Sequence, residues 1–214
     1  MGVIFFTVGG FMERHLSYSA AAVSAIVLSA AFPSFAAPDP GQAGEETEAF
    51  SETQGAYQQG TLNGLTFSNP WADYSITFPE GTYFNPDSLV DYMSAYTGLD
   101  YEFAANLYGD LTDYPSMNIT FQDALIPLKD CTQNLLDIYA EKEYECQTKT
   151  GVWIAGHPFT RVLAESPEYD VYVDNYLRVK DGKLIWISIK CPKDDTEAQE
   201  TVKQVLYSAT SFNK

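Results

Sequence analysis

A short stretch of the chain gathers carboxylates and phenols: Asp100, Tyr101, Glu102, Tyr108, Asp110, Asp113 and Tyr114. Two kinds of chemistry suit such a set. Hard cations such as calcium take several oxygen ligands at once, although the spacing here does not match an EF-hand loop. Glycoside hydrolysis needs two carboxyl groups at a defined separation. A solvated acidic loop is the third reading, because an acidic chain produces such pairs by chance. Exposed tyrosine and tryptophan also stack on sugars and anchor partner proteins. Trp71, in the turn Ser68-Asn69-Pro70-Trp71-Ala72-Asp73, is the aromatic least explained by sheet packing. The candidate ligand or partner surface is therefore Trp71, Tyr101, Tyr108, Asp110, Asp113 and Tyr114.

Other chemistries find fewer residues. The chain has 2 histidines, and only His157 lies beyond the N-terminal leader described below. That excludes multi-histidine zinc sites. A nucleophile–histidine arrangement would have to use His157, which sits in Ala155-Gly156-His157-Pro158 and is expected at a turn on the sheet edge. No G-x-S-x-G elbow, glycine-rich phosphate loop or C-x-x-C pair is present. Asn118-Ile119-Thr120 matches a glycosylation acceptor but falls in the middle of an expected strand. No catalytic residue, cofactor or metal ligand is assigned, with calcium held as an alternative.

The compartment is expected from the N-terminus. Residues 16–36, LSYSAAAVSAIVLSAAFPSFA, are uncharged, follow Glu13-Arg14-His15 and end in Ser34-Phe35-Ala36. A charged end, an apolar core and a small-x-small site make a secretory signal peptide. The alternative is an uncleaved anchor, since the run approaches the length that spans a bilayer. Residues 1–11 form a second apolar run ahead of the charges, which suggests a start at Met12. Ala37 follows the cleavage site, so no cysteine stands there to accept lipid. Removing residues 1–36 takes away one Arg and one Glu, and the net charge stays −17. A chain this acidic repels nucleic acid and anionic headgroups. Its partner is expected to be a protein or a cell surface, with membrane contact only if the leader is retained. The 3 cysteines, Cys131, Cys146 and Cys191, allow one disulfide in an oxidising compartment, of unspecified pairing, and leave one thiol.

Residues 37–59 carry Asp39, Glu45, Glu46, Glu48 and Glu52 and no basic residue. Such a segment buries too little apolar surface to offset its ordering entropy and reads as a spacer. The domain is expected over 60–214. Thr61–Phe67 and Tyr74–Phe78 read as short strands. Asn85-Pro86 caps a helix over 86–97, with Leu89, Tyr92, Met93 and Tyr96 as its apolar stripe and Gly98 as its stop. Glu102–Tyr108 reads as a short helix and Ser116–Gln122 as a strand. Asp130-x-x-Gln133 suggests a capping box for a helix carrying Leu135, Leu136, Ile138 and Tyr139, and Thr196-x-x-Gln199 one for a C-terminal helix. Between them, Tyr144–Lys149 and the run Val152–Cys191 form further strands. Asp181-Gly182 is the strongest hairpin signal in the chain, and Val152–Cys191 is expected to be the centre of an antiparallel sheet. The sum is an α+β sandwich, with hairpins and helices that cover a largely antiparallel sheet.

Three stretches give this order a family look: Tyr74-Ser75-Ile76-Thr77-Phe78-Pro79, Gly156-His157-Pro158-Phe159, and Tyr176 through Ile189. Over about residues 60–214 the chain resembles the PsbP/Mog-like domains, in particular their secreted bacterial branch of unknown role. The resemblance implies an α/β/α sandwich with an antiparallel sheet covered by helices. It transfers little function: family members do unrelated jobs, mostly as non-catalytic binding or assembly modules, and fold does not settle function. The expectation is thus a secreted, non-catalytic protein- or surface-binding module. The alternatives are a secreted hydrolase using the 100–113 carboxylates and a calcium-dependent binding module.

Overall fold

A computed structural model describes residues 57–107 and 115–212. Among the described residues, ten strands and three helices follow one another: β1 (Thr61–Asn63), β2 (Thr66–Asn69), β3 (Tyr74–Thr77), β4 (Tyr83–Phe84), α1 (Asp87–Thr97), β5 (Tyr101–Asn106), β6 (Ser116–Asp123), α2 (Leu128–Ala140), β7 (Glu145–Ile154), β8 (His157–Glu165), β9 (Val171–Lys180), β10 (Lys183–Pro192) and α3 (Thr196–Tyr207). They build a seven-stranded sheet in the order β4-β5-β6-β10-β9-β8-β7 and a three-stranded meander β1-β2-β3. Every strand pair is antiparallel. The architecture is α+β, as the sequence predicts.

The large sheet divides two cores. On one face β5, β9 and β10 pack against α1 and α2 through Val90, Cys131, Leu135, Ile138, Tyr139, Leu177, Leu184 and Trp186. On the other, the meander and α3 cover Phe103, Ile119, Phe121, Ile185, Ile187 and Ile189 with Phe67, Tyr74, Ile76, Ala198 and Val202. Strand β10 lies in the middle and is covered on both faces. That is why LIWISIKC is nearly all apolar: even positions from Leu184 to Trp186 face one core, while Ile185, Ile187, Ile189 and Cys191 face the other. The centre of the sheet is therefore β6-β10-β9, not all of Val152–Cys191. Strand β7, where that stretch begins, is an edge.

The Lys180–Lys183 hairpin forms as its residues dictate. Asp181 and Gly182 both take positive φ, 47° and 75°, the turn whose twist matches the strands it joins. Local differences from expectation have local causes. Thr61–Phe67 is two strands, because Gly64 turns the chain at φ 59°. Tyr101–Asn106 is a strand, not a helix; all six residues are buried. Tertiary pairing with β4 and β6 overrides a stretch without clear period. The helix starts also move. Pro86 and Pro127 stand at the N-caps of α1 and α2, so neither Asn85 nor the Asp130–Gln133 pair caps by side chain. For α3 the cap is Asp195, whose carboxylate accepts from the Ala198 N–H at 2.9 Å, one residue before the expected Thr196. All three thiols are free: Cys131 and Cys191 are buried in the cores on opposite faces of the sheet, and Cys146 is partly exposed.

Candidate functional site

Of the residues singled out by sequence, Tyr108, Asp110, Asp113 and Tyr114 fall outside the described residues. Trp71 and Tyr101 do not meet each other. Tyr101 is buried against α1 and α2, and that burial pushes its phenol up to about 12. Trp71 lies on the opposite face and is packed after all. Its ring meets Tyr57 edge-on at 5.3 Å and Phe121 at 5.9 Å, with the Lys180 ammonium 4.7 Å over it. Lys183 lies 5.4 Å from the Tyr57 ring. Two cations directly opposite across a hairpin would repel. Here each rests on an aromatic face and meets a carboxylate, Lys180 that of Asp181 and Lys183 that of Asp123 at 2.6 Å.

Beneath these rings lies Glu102, read from sequence as part of a solvated loop. The ladder between β5 and β6 shifts between Tyr101 and Phe103, leaving Glu102 as the extra residue. Such a bulge re-aims a side chain. Glu102 is 8% exposed, and its Oε1 accepts from Tyr57 OH at 2.9 Å, Asn69 Nδ2 at 2.8 Å and the Gly60 N–H at 2.5 Å. Desolvation raises its pKa, and these three donors oppose the rise. Oε2 has no hydrogen-bond partner among the described residues. A Cβ on Gly60 would sit 2.5 Å from the Phe67 ring, so the close approach needs glycine. Tyr57 and Gln58, assigned by sequence to the spacer, are held on the domain: Gln58 C=O accepts from Asn69 Nδ2 at 3.3 Å.

A second polar cluster surrounds His157, which opens β8 rather than standing in the turn. Its Nε2 lies 3.0 Å from Asp73 Oδ2 and 3.1 Å from the Asp73 carbonyl, both acceptors, so Nε2 carries the proton. Asp73 is buried at a φ of 58°. Its carboxylate also accepts from Ser211 Oγ at 2.7 Å and the Phe212 N–H at 2.9 Å. The elements of a Ser–His–Asp set are present but wired differently. The serine donates to the aspartate, whereas nucleophilic catalysis needs it to donate to the imidazole. The cluster instead pins three distant pieces of backbone: the turn after β2, the start of β8 and the C-terminal tail. That tail runs along β3, with Ser75 and Thr210 exchanging N–H to carbonyl bonds at 2.8 and 2.9 Å.

The exposed rings lie elsewhere. Tyr92 and Tyr96 were expected on the buried stripe of α1. That helix buries Val90 and Thr97 instead and leaves the two tyrosines 59% and 55% exposed, stacked at 6.0 Å with 19° between planes. Sequence spacing identified a stripe there but not the side of it that meets the sheet; both faces of α1 carry apolar residues. Among the described residues no group of three or more His, Cys, Asp or Glu could hold a metal ion, and no helix is long and apolar enough to cross a membrane.

No family model matches the chain, and no curated protein matches it. Solved structures do. The PsbP protein of the cyanobacterium Synechocystis (CyanoP) is similar at 10% identity and a TM-score of 0.48, over 72% of this chain and 98% of that one. LpqN of Mycobacterium tuberculosis, a protein involved in cell envelope biogenesis, is similar at 10% identity and a TM-score of 0.41, over 64% of this chain and 82% of LpqN. A Bacteroides thetaiotaomicron protein is similar at 13% identity and a TM-score of 0.39, over 72% of this chain and 50% of its own. At these identities and TM-scores nothing of function passes from these structures to this chain.

Proposed function

We propose that this chain is an exported, non-catalytic α+β domain that binds a protein partner or a cell surface. The observation that carries the reading is the contrast between its polar clusters and its exposed rings. The acid–base groups brought together at Glu102 and at Asp73–His157 are spent on holding backbone segments in place. Meanwhile a stacked tyrosine pair stands in solvent on α1. Tyrosine presents a large, rigid contact area with a polar tip at low entropic cost, which suits an interface. Export is supported by the leader at residues 16–36.

The test is capture by the immobilised exported chain from its host's culture medium and cell-surface fraction, beside a Tyr92→Ser/Tyr96→Ser variant. Both side chains are exposed, so the variant should melt within about 2–4 °C of the wild type, since each surface change usually moves stability by less than about 0.5 kcal/mol. A species retained by the wild type and lost from the variant supports the reading. Equal retention by both places the surface elsewhere.

A further inference from the structure

Strand β7 is the long edge of the large sheet, and among the described residues it pairs with β8 alone. An edge strand offers a row of unsatisfied N–H and C=O groups, which proteins cover, charge or pair. Residues 145–149 are largely exposed. Gly151, at φ 69°, marks a bulge between Lys149 and Val152 that interrupts the regular ladder. The regular part is thus Glu145-Cys146-Gln147-Thr148-Lys149.

Its charges are badly placed within one chain. Glu145 stands directly opposite Glu165 on β8, and Lys149 directly opposite Arg161. Like charges directly opposite are destabilising. Glu165 has Lys193 at 3.8 Å and Arg161 is committed to Asp174 at 2.7 and 2.8 Å. Among the described residues neither Glu145 nor Lys149 makes an ion pair.

We propose that β7 is the interface between two copies of this chain, paired antiparallel about a two-fold axis through Gln147. In that register Glu145 of each copy stands opposite Lys149 of the other, and both unbalanced positions gain an opposite charge. The backbone parity agrees. Counting from the two-residue turn Ala155-Gly156, His157, Phe159, Arg161, Leu163 and Glu165 fall in hydrogen-bonded pairs. Glu145, Gln147 and Lys149 therefore aim their backbone groups at β8, and Cys146 and Thr148 aim theirs outward. The two-fold through Gln147 sets Cys146 of one copy against Thr148 of the other, outward group to outward group. About four backbone hydrogen bonds close on this axis. Moving the axis by one residue in either direction keeps the parity but loses the Glu145–Lys149 match. The five-residue contact belongs to the small, weak class of interfaces.

Sedimentation of the full-length chain at about 100 μM should show a concentration-dependent dimer, as a micromolar association would. Lys149→Glu and Glu145→Lys should each weaken it at least about tenfold, as like charges facing across an interface do. The double variant Glu145→Lys/Lys149→Glu should restore it. Association insensitive to both single changes, or a double variant that stays monomeric, overturns the proposal, as does a wild type that is monomeric at that concentration. A second measurement reads the register itself. Facing non-hydrogen-bonded residues have Cα atoms about 4.5 Å apart, within disulfide reach. Gln147→Cys in a Cys146→Ser background should oxidise to a covalent dimer, and Thr150→Cys in the same background should not. Cross-linking at both positions, or at neither, contradicts the axis.

Discussion

At the scale of single residues, the buried polar side chains act as ties. Asn175, fully buried, donates to Tyr139 OH and the Val162 carbonyl, each at 3.1 Å, and accepts from Trp186 Nε1 at 3.0 Å. It links α2, β8, β9 and β10. Asn175→Ala removes all three of these buried side-chain hydrogen bonds, and should cost on the order of 3 kcal/mol by urea unfolding. Glu102 gives a pH signature. Its folded pKa lies above the ordinary 4.5, because burial disfavours the charge. Its stabilising contribution is therefore full below that ordinary value and is lost as pH rises through the folded pKa. Glu102→Gln keeps an acceptor for Tyr57, Gly60 and Asn69 and removes the buried charge. The melting temperature of the variant relative to wild type should rise as pH is raised from about 4 to 7. A constant difference would show that Glu102 does not titrate differently in the folded state. None of these ties was legible in the sequence. Asn175 and Glu102 sit in stretches that look like ordinary polar strand and loop, and only the bulge at Tyr101–Phe103 turns Glu102 inward.

At the scale of elements, what the sequence states through local physics is what the structure keeps. The Asp181-Gly182 turn demands positive φ at both positions, and both have it. Gly182→Ala places a Cβ in the left-handed region and should cost about 1–2 kcal/mol, read as a lower urea midpoint. Asp195→Ala removes the α3 cap and should cost about 1 kcal/mol. The misreadings share one origin, competition from tertiary contacts. Tyr101–Asn106 has no strand alternation because it is buried on both faces, and α1 turns Val90 rather than Tyr92 toward the sheet. Periodicity marks an amphipathic element but cannot assign a side when both flanks carry apolar groups. Pro86 and Pro127 stand at the N-caps with extended ψ of 152° and 151°, and neither helix has a side-chain cap.

At the scale of the whole molecule, the first and last described residues are drawn onto one face of the sheet. Tyr57 and Gly60 are clasped by Glu102, and Ser211 and Phe212 by Asp73, which also holds His157. Asp73→Ala should release the tail and lower stability by about 2–4 kcal/mol, since it orphans several donors around a buried carboxylate's place. The α+β class and the antiparallel sheet were legible in the order of strands and helices. The two-core arrangement was not, because it depends on which face of β10 each cover chooses. On the proposed function, the polar clusters serve the fold and the exposed aromatic surface serves a partner. The most direct test is quantitative capture by wild-type, Tyr92→Ser/Tyr96→Ser and His157→Ala chains, beside a hydrolase screen of all three. The expected result is a retained partner, lost at least about tenfold with the tyrosines, and no hydrolysis that depends on His157. Capture indifferent to Tyr92 and Tyr96, or a hydrolytic activity abolished by His157→Ala in a chain that still folds, would contradict it.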